Sequence, residues 1–273
     1  MVLARRFLVA DPQVTFSDRF GMSALRTYGR SEHQVSFDVD YTGVDIVNPA
    51  NSVTVNILQN HRWDNAKMNV PPTFIKEAKN SIEYRNFTEV NTFPAGNEFR
   101  FFDLRSIKYF GQYVKAAKME KKANFVWVED DKPRTALAYS VDQDINGQFF
   151  IENLERKIAP IENDYAKVYF TLKSEKISGR VYIAGSLASW AYTHDNLMTW
   201  DAESGSYQGS LLLKQGFYNY QYVVTGGSEK LNQLEGNHGE TENQYQIFFY
   251  YRPPNLQADL LIGYLNLDRN QRP

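Results

Sequence analysis

The stretch VSFDVDY, residues 35–41, decides the fold class of this chain. Apolar residues occupy every second position from Val35 to Tyr41, and serine or aspartate fills the positions between them. Such alternation is typical of a strand with one face buried and one face in water. The run VTVNIL, residues 53–58, repeats the pattern after the turn-forming sequence NPAN. The sequence therefore predicts β-structure at these two places.

The same pattern extends along the chain, with turn residues between its runs. It predicts further strands over residues 3–9, 14–16, 81–84, 98–104, 125–128, 135–141, 149–154, 166–172, 179–186, 205–213, 216–225, 243–251 and 259–267. The only helix candidate is residues 71–79, which begin with two prolines. We therefore predict an all-β protein of two consecutive immunoglobulin-like β-sandwich domains with very little helix.

A domain boundary is expected near Pro160, because residues 155–165 are charged and contain proline between two sets of strands. The predicted domains are residues 11–160 and residues 161–273.

Composition limits the classes of partner. The net charge is -2 in 273 residues, which does not favour nucleic acid or an anionic membrane surface. The chain has no cysteine and therefore no disulfide or zinc–thiolate site. No apolar run approaches the roughly 20 residues of a membrane-spanning helix. The apolar stretch near Met1 is too short for a signal peptide, so an exported protein would carry its signal upstream of this sequence.

The sequence shows no pattern of catalytic residues. The four histidines, His33, His61, His194 and His238, do not lie at metal-ligand spacing, and neither a phosphate-binding loop nor a nucleophile elbow is present. Glu98 and Asp103 lie five residues apart, so in a strand they point to opposite faces. Glu98 and Arg100 share a face, which predicts an ion pair on the sandwich surface. We predict no enzyme activity, no cofactor and no metal.

Residues 166–225 resemble early-set immunoglobulin-like domains, especially the glycogen-binding modules of amylases and kinase subunits. The similarity is carried by VYIAGSLASW at residues 181–190 and LKQGFYNYQY at residues 213–222. In those modules a glucan stacks on exposed tryptophans, and Trp190 lies at the matching loop position. The second aromatic residue of those modules is missing here. Trp190 is therefore either a carbohydrate-binding residue or a ring that caps the end of the sandwich, whereas Trp200 is expected in the core.

A broader similarity covers most of the chain. The strings QNHRWD (59–64), GNEFRFFD (96–103), EGNH (235–238), TENQY (241–245) and DLLIGY (259–264), with RRFLV (5–9), resemble the plug proteins of the Bacteroidetes type IX secretion system. That resemblance implies a periplasmic, outer-membrane-associated protein that closes the inner mouth of a large translocon β-barrel. Members of that family carry one more N-terminal β-domain and a signal peptide, neither of which is in this sequence. The resemblance therefore implies that residues 1–10 are the last strand of that upstream domain.

The polar string that follows residue 58 is the candidate partner-binding surface. It contains Gln59, Asn60, Arg62 and Trp63, and Arg and Trp are frequent at binding hot spots. The loop with His238 is a second candidate. The alternative for both is a loop that hydrogen-bonds its own backbone. The leading hypothesis is docking onto an outer-membrane translocon, and its rivals are a glycan-binding module and an accessory domain of a secreted hydrolase.

Overall fold

The structure is a computed structural model that describes residues 7–22, 31–85, 88–142, 144–155, 163–227 and 232–268. Strands dominate these residues, which confirms the predicted all-β class with very little helix. In chain order the strands are β1 (Thr15–Met22), β2 (Glu32–Asp40), β3 (Val53–Gln59), β4 (Phe74–Lys76), β5 (Ser81–Tyr84), β6 (Thr92–Pro94), β7 (Arg100–Asp103), β8 (Val114–Met119), β9 (Asn124–Val128), β10 (Phe149–Ile151), β11 (Tyr165–Lys173), β12 (Arg180–Ala184), β13 (Thr199–Asp201), β14 (Ser206–Lys214), β15 (Gly216–Thr225), β16 (Gln244–Tyr251) and β17 (Leu260–Asp268). The helical elements are α1 (Pro49–Ser52) and the 3-10 turns Glu77–Lys79, Glu89–Asn91, Ser186–Ala188 and His194–Asn196.

The chain forms two compact units that do not follow its linear order. Unit 1 comprises residues 1–95 and 242–273, and unit 2 comprises residues 96–241. The structure therefore corrects the predicted domains 11–160 and 161–273. The physical reason is strand pairing, because β16 pairs with β3 across most of the chain while β7 and β10 both pair with β15. The proline near residue 160 marks no boundary between the units.

Unit 1 is built from two sheets around one core. The first has the strand order β1-β2-β5-β4, with β6 also paired to β2, and the second has the order β17-β16-β3. The alternation that predicted β2 is visible in its burial, since Val35, Phe37 and Val39 are fully buried. Residues from both sheets join one cluster, in which Phe37 stacks on Tyr84 at 4.8 Å between ring centroids.

Unit 2 also has two sheets. One has the order β13-β14-β11-β9-β8, in which β9 and β11 run parallel, and the other has the order β10-β15-β12 with β7 on β15. Aromatic rings fill its core, since Phe102 stacks on Tyr218 at 5.3 Å and meets Phe170 edge-on at 5.6 Å. Aromatic pairs of this kind stabilise a core beyond the area that they bury.

Several predicted elements differ from the structure. Residues 135–141 form no strand. Alternating apolar residues allow a strand to bury one face, but they do not provide the neighbouring strand with which it must pair. The helix expected over residues 71–79 is instead β4, which pairs with β5, followed by one 3-10 turn. Residues 1–6 of the expected upstream strand lie outside the described residues, and residues 7–10 have no regular secondary structure.

Unit 2 should fold without unit 1. Its two ends meet, since Gly96 O accepts hydrogen bonds from His238 N at 2.7 Å and from Thr241 Oγ1 at 2.9 Å. We expect residues 96–241, produced alone, to unfold in one cooperative urea transition monitored by near-UV circular dichroism. Residues 1–95 alone should not, because they lack β16 and β17. A structureless 96–241 fragment would contradict this division.

Candidate functional site

A tight turn after β3 positions the candidate surface. Asn60 and His61 both have positive φ, 56° and 59°, as the two central residues of a hairpin-type turn require. The Asn60 side chain bridges to the start of β16, because its Nδ2 donates to Asn243 Oδ1 at 2.7 Å and its Oδ1 accepts from Gln244 N at 2.9 Å. Gln59 Nε2 donates to Pro94 O at 2.9 Å. Gln59 and Asn60 are both buried, so these two predicted partner-binding residues hold the turn internally instead of facing a partner.

Arg62 lies on the far side of the turn and is fixed by Asp64. Its Nε and Nη2 donate to the two carboxylate oxygens at 3.1 and 2.7 Å, which makes the pair bidentate. The Arg62 side chain is only 13% exposed. A bidentate pair of this kind restricts both side chains and thereby stiffens the segment that carries Trp63.

Trp63 is the predicted residue that the structure places at the surface. Its indole ring stacks on Phe248 with 5.7 Å between centroids, and the residue remains 53% exposed. Phe248 contacts Tyr264 of β17 at 5.2 Å. These rings line a groove of about 690 Å³ together with residues of the segment before β1. We call it the Trp63 groove. Its lining residues are Phe7, Leu8, Ala10, Trp63, Phe248, Leu261 and Tyr264.

All the residues that line the Trp63 groove are uncharged. Phe7 and Tyr264 are 83% and 41% exposed, so apolar surface of the groove besides that of Trp63 remains open. Contiguous exposed apolar surface marks interaction sites on soluble proteins. The groove is therefore suited to an apolar group of a partner.

Sequence reasoning missed most of this groove, although a signal was present. Along β16 the residues Tyr245, Ile247, Phe249 and Tyr251 are buried in the core of unit 1. Alternation then assigns Phe248 to the outward face, where an aromatic residue is unusual. An aromatic ring at an outward position is the feature that could have identified the site.

His238 belongs to unit 2, whereas Trp63 belongs to unit 1. Its backbone N–H donates to Gly96 O at 2.7 Å, and its ring lies 5.7 Å from that of Tyr139. Its Nε2 is buried and makes no hydrogen bond within the described part of the chain. The predicted set of five residues is thus divided between the two units.

Trp190 is half-buried at one end of unit 2. Its ring meets Phe99 edge-on at 5.9 Å and lies so close to Gly147 that an added Cβ there would be 2.6 Å from the indole. This packing agrees with a ring that caps the end of the sandwich. Trp200 packs against Tyr207 at 5.0 Å beside the core, as predicted.

Unit 2 also contains a buried network of charges. Arg100 donates to Glu235 through Nε at 3.0 Å and to Asp131 through Nη1 at 2.6 Å. Tyr220 and Tyr222 each donate a hydroxyl to Asp131 Oδ2 at 2.7 Å. The predicted surface pair of Arg100 with Glu98 is therefore wrong, because Arg100 turns inward to two other carboxylates.

The surroundings shift the pKa values of two carboxyl groups in opposite directions, that of the buried Glu235 downward and that of the half-buried Asp144 upward. Burial would raise the pKa of Glu235, but the adjacent Arg100 and Arg134 bring it below its ordinary value. Burial raises the pKa of Asp144 to about 7, although it accepts backbone hydrogen bonds from Asn146 and Phe99. Glu235 is therefore ionised at neutral pH, whereas Asp144 titrates there.

The chain is similar to a protein of known structure. No family model and no curated protein matches the chain. Among solved structures it is similar to a hypothetical protein from Parabacteroides merdae ATCC 43184, whose crystal structure was determined at 2.30 Å resolution. The two share 33% sequence identity at a TM-score of 0.86. The match covers 95% of this chain and 66% of that protein, so the chain spans just under two thirds of its relative's length.

Among the described residues, no helix is both long and apolar enough to span a bilayer.

Replacing Glu235 by glutamine should lower the free energy of unfolding by about 3–5 kcal/mol, because it leaves Arg100 and Arg134 without their shared buried counter-charge. The carboxylate's pKa is lowered on folding, so its contribution is present above the ordinary glutamate pKa of 4.5 and is lost as pH falls through the lower folded value. Urea denaturation at pH 7 measures the loss. Glu203→Gln, an exposed control in the same unit, should change stability by less than about 0.5 kcal/mol.

Replacing Asp144 by asparagine should flatten the pH dependence of stability. The folded pKa of about 7 lies above the ordinary value of 3.8, so this residue's contribution decreases as pH rises from 3.8 through 7. The wild-type protein should lose stability on this account, on the order of 2 kcal/mol between pH 5 and 8, and the variant should not. Denaturation curves at several pH values test this. Identical slopes for both proteins would show that Asp144 does not titrate in this range.

Proposed function

We propose that this chain is a non-catalytic binding protein that docks a protein partner through the Trp63 groove. The observation that carries the proposal is a half-exposed tryptophan, stacked on Phe248, within an uncharged apolar groove. Tryptophan and tyrosine are the residue types that most often dominate binding energy at protein interfaces. Trp63 and Tyr264 supply both types at one place.

The contacts that hold Trp63 in place favour tight binding. Asn60 and the Arg62–Asp64 pair fix the backbone on both sides of Trp63 before a partner arrives. Phe248 fixes one face of the indole ring, and binding then needs to cover only the other face. Ordering side chains costs about 0.5–1.5 kcal/mol each on association, so a preorganised surface retains more of its gross binding energy.

The partner that we propose is the periplasmic mouth of an outer-membrane secretion translocon. The family-like strings support this choice, and one of them, QNHRWD, contains the turn and Trp63. In this hypothesis the protein acts at the cell envelope by closing the translocon barrel. Shape and aromatic contacts, rather than charge, provide the affinity, which agrees with the net charge of -2.

Trp63→Ala should reduce binding to the translocon at least about tenfold, because interface tryptophans commonly contribute 2 kcal/mol or more. The measurement is affinity capture from a detergent-solubilised Bacteroidetes envelope, with the recovered outer-membrane β-barrel identified by mass and then titrated as a purified protein. Arg62→Ala should weaken binding less, since it loosens the segment without removing contact area.

Tyr109→Ala is the matched control, because this tyrosine is 77% exposed but lies in unit 2. It should leave the affinity unchanged. Thermal unfolding of all three variants should match the wild type within a few degrees. A purified translocon that binds wild type and Trp63→Ala equally would overturn the proposal.

A further inference from the structure

A cavity of about 180 Å³ in unit 2 has a chemistry unlike that of the Trp63 groove. Its wall combines aromatic rings with carboxylates. The residues that line it are Phe99, Arg100, Phe101, Tyr113, Val128, Glu129, Asp131, Arg134, Asp142 and Tyr220. This set is called the aromatic–acidic cavity below.

The charges of Arg100 and Arg134, the two arginines at the cavity, are already balanced by carboxylates of the protein. All three guanidinium nitrogens of Arg100 donate within the protein, to Glu235, Asp131 and the carbonyl oxygen of Lys132. Arg134 donates to Glu235 Oε2 and to the carbonyl oxygen of Glu98. The positive charges of the wall are therefore balanced by Glu235 and Asp131, and they offer little to an anionic ligand.

Two carboxylates of the wall remain unbalanced. Glu129 and Asp142 are exposed, and neither forms an ion pair within the described ranges of the chain. The cavity consequently presents an excess of negative charge. Such an excess attracts a cation and disfavours an anion.

The aromatic residues add a second attraction for cations. Tyr113 meets Phe101 edge-on at 4.8 Å and is about half exposed. Its carbonyl oxygen accepts a hydrogen bond from Glu129 N at 2.9 Å. This bond holds the backbone of Tyr113 next to that of Glu129. Aromatic faces carry partial negative charge and attract ammonium and guanidinium groups more strongly when water is partly excluded.

We infer that the aromatic–acidic cavity binds an organic cation, an alkylammonium or guanidinium head group. The rings would cover its methylene groups while Glu129 and Asp142 balance its charge. The volume admits one such head group with a short aliphatic stem. The same chemistry is found in a free amine and in the lysine or arginine side chain of a partner.

The test is a titration of the intact ¹⁵N-labelled chain with n-butylammonium, followed by backbone amide shifts. We expect saturable shifts at Phe101, Tyr113 and Glu129, with a dissociation constant on the order of millimolar. The neutral analogue n-butanol should bind at least about fivefold more weakly. The double variant E129Q/D142N should raise the dissociation constant for butylammonium at least about fivefold.

E175Q/E203Q is the matched control, because it removes the same charge from exposed carboxylates of the same unit. It should leave the dissociation constant unchanged. Three results would each overturn the inference: equal binding of butanol, equal weakening in both double variants, or no saturable shift at up to about 0.1 M amine. All four substituted carboxylates are exposed, so loss of folding does not confound the comparison.

Blocked amino acids distinguish the two sources of the cation. If N-acetyl-lysine methylamide or its arginine counterpart binds at least as tightly as butylammonium, the cavity accepts a side chain carried on a peptide. If only butylammonium binds, the cavity accepts a free amine. Either result supports an organic-cation site, and neither depends on the docking proposed for the Trp63 groove.

Discussion

The antiparallel pairing of β3 with β16 is the constraint on which unit 1 depends. It joins residues 53–59 to residues 245–251. The two segments of unit 1 that flank unit 2 in the sequence must therefore meet before the sheet β17-β16-β3 can form. The cost of closing a loop grows only slowly with its length, and a folded insertion reduces that cost further by holding its own ends together. In unit 2 the hydrogen bonds from His238 and Thr241 to Gly96 do this. The pairing also places Phe248 of β16 beneath Trp63, so it builds the groove as well as the core.

The sequence predicts the strands of this protein better than its domains. Alternation is a local property, and it identifies β2, β3 and β16 because each has one face in a core. Which strands become neighbours depends on contacts between residues far apart in sequence, and no local pattern encodes them. A proline-containing charged segment near residue 160 therefore suggested a boundary, although β10 before it and β15 after it share a sheet.

The candidate site shows the same limit at the level of side chains. Trp63 could be predicted as a candidate because its residue type is common at interfaces. Gln59 and Asn60 could not be separated from it, because amide side chains serve equally well to bind a partner and to satisfy a buried turn. In unit 2 alternation correctly places Arg100 in a strand, although that strand begins at Arg100 and does not include Glu98. It cannot show that Arg100 reaches Glu235, which lies 135 residues away in sequence.

Buried polar groups support the exposed Trp63 in unit 1. Behind the turn of unit 1, Tyr245 Oη lies 2.8 Å from His33 Nδ1 and accepts a hydrogen bond from Gln59 Nε2 at 3.3 Å. Satisfied buried networks specify one conformation, because any shift would leave a polar group without a partner in a low-dielectric environment. The turn that carries Trp63 begins directly after Gln59, so its position is set by the core rather than by solvent. A rigid aromatic anchor of this kind loses little conformational freedom on binding, so in the proposed docking the polar residues of the string would act by holding Trp63 in place.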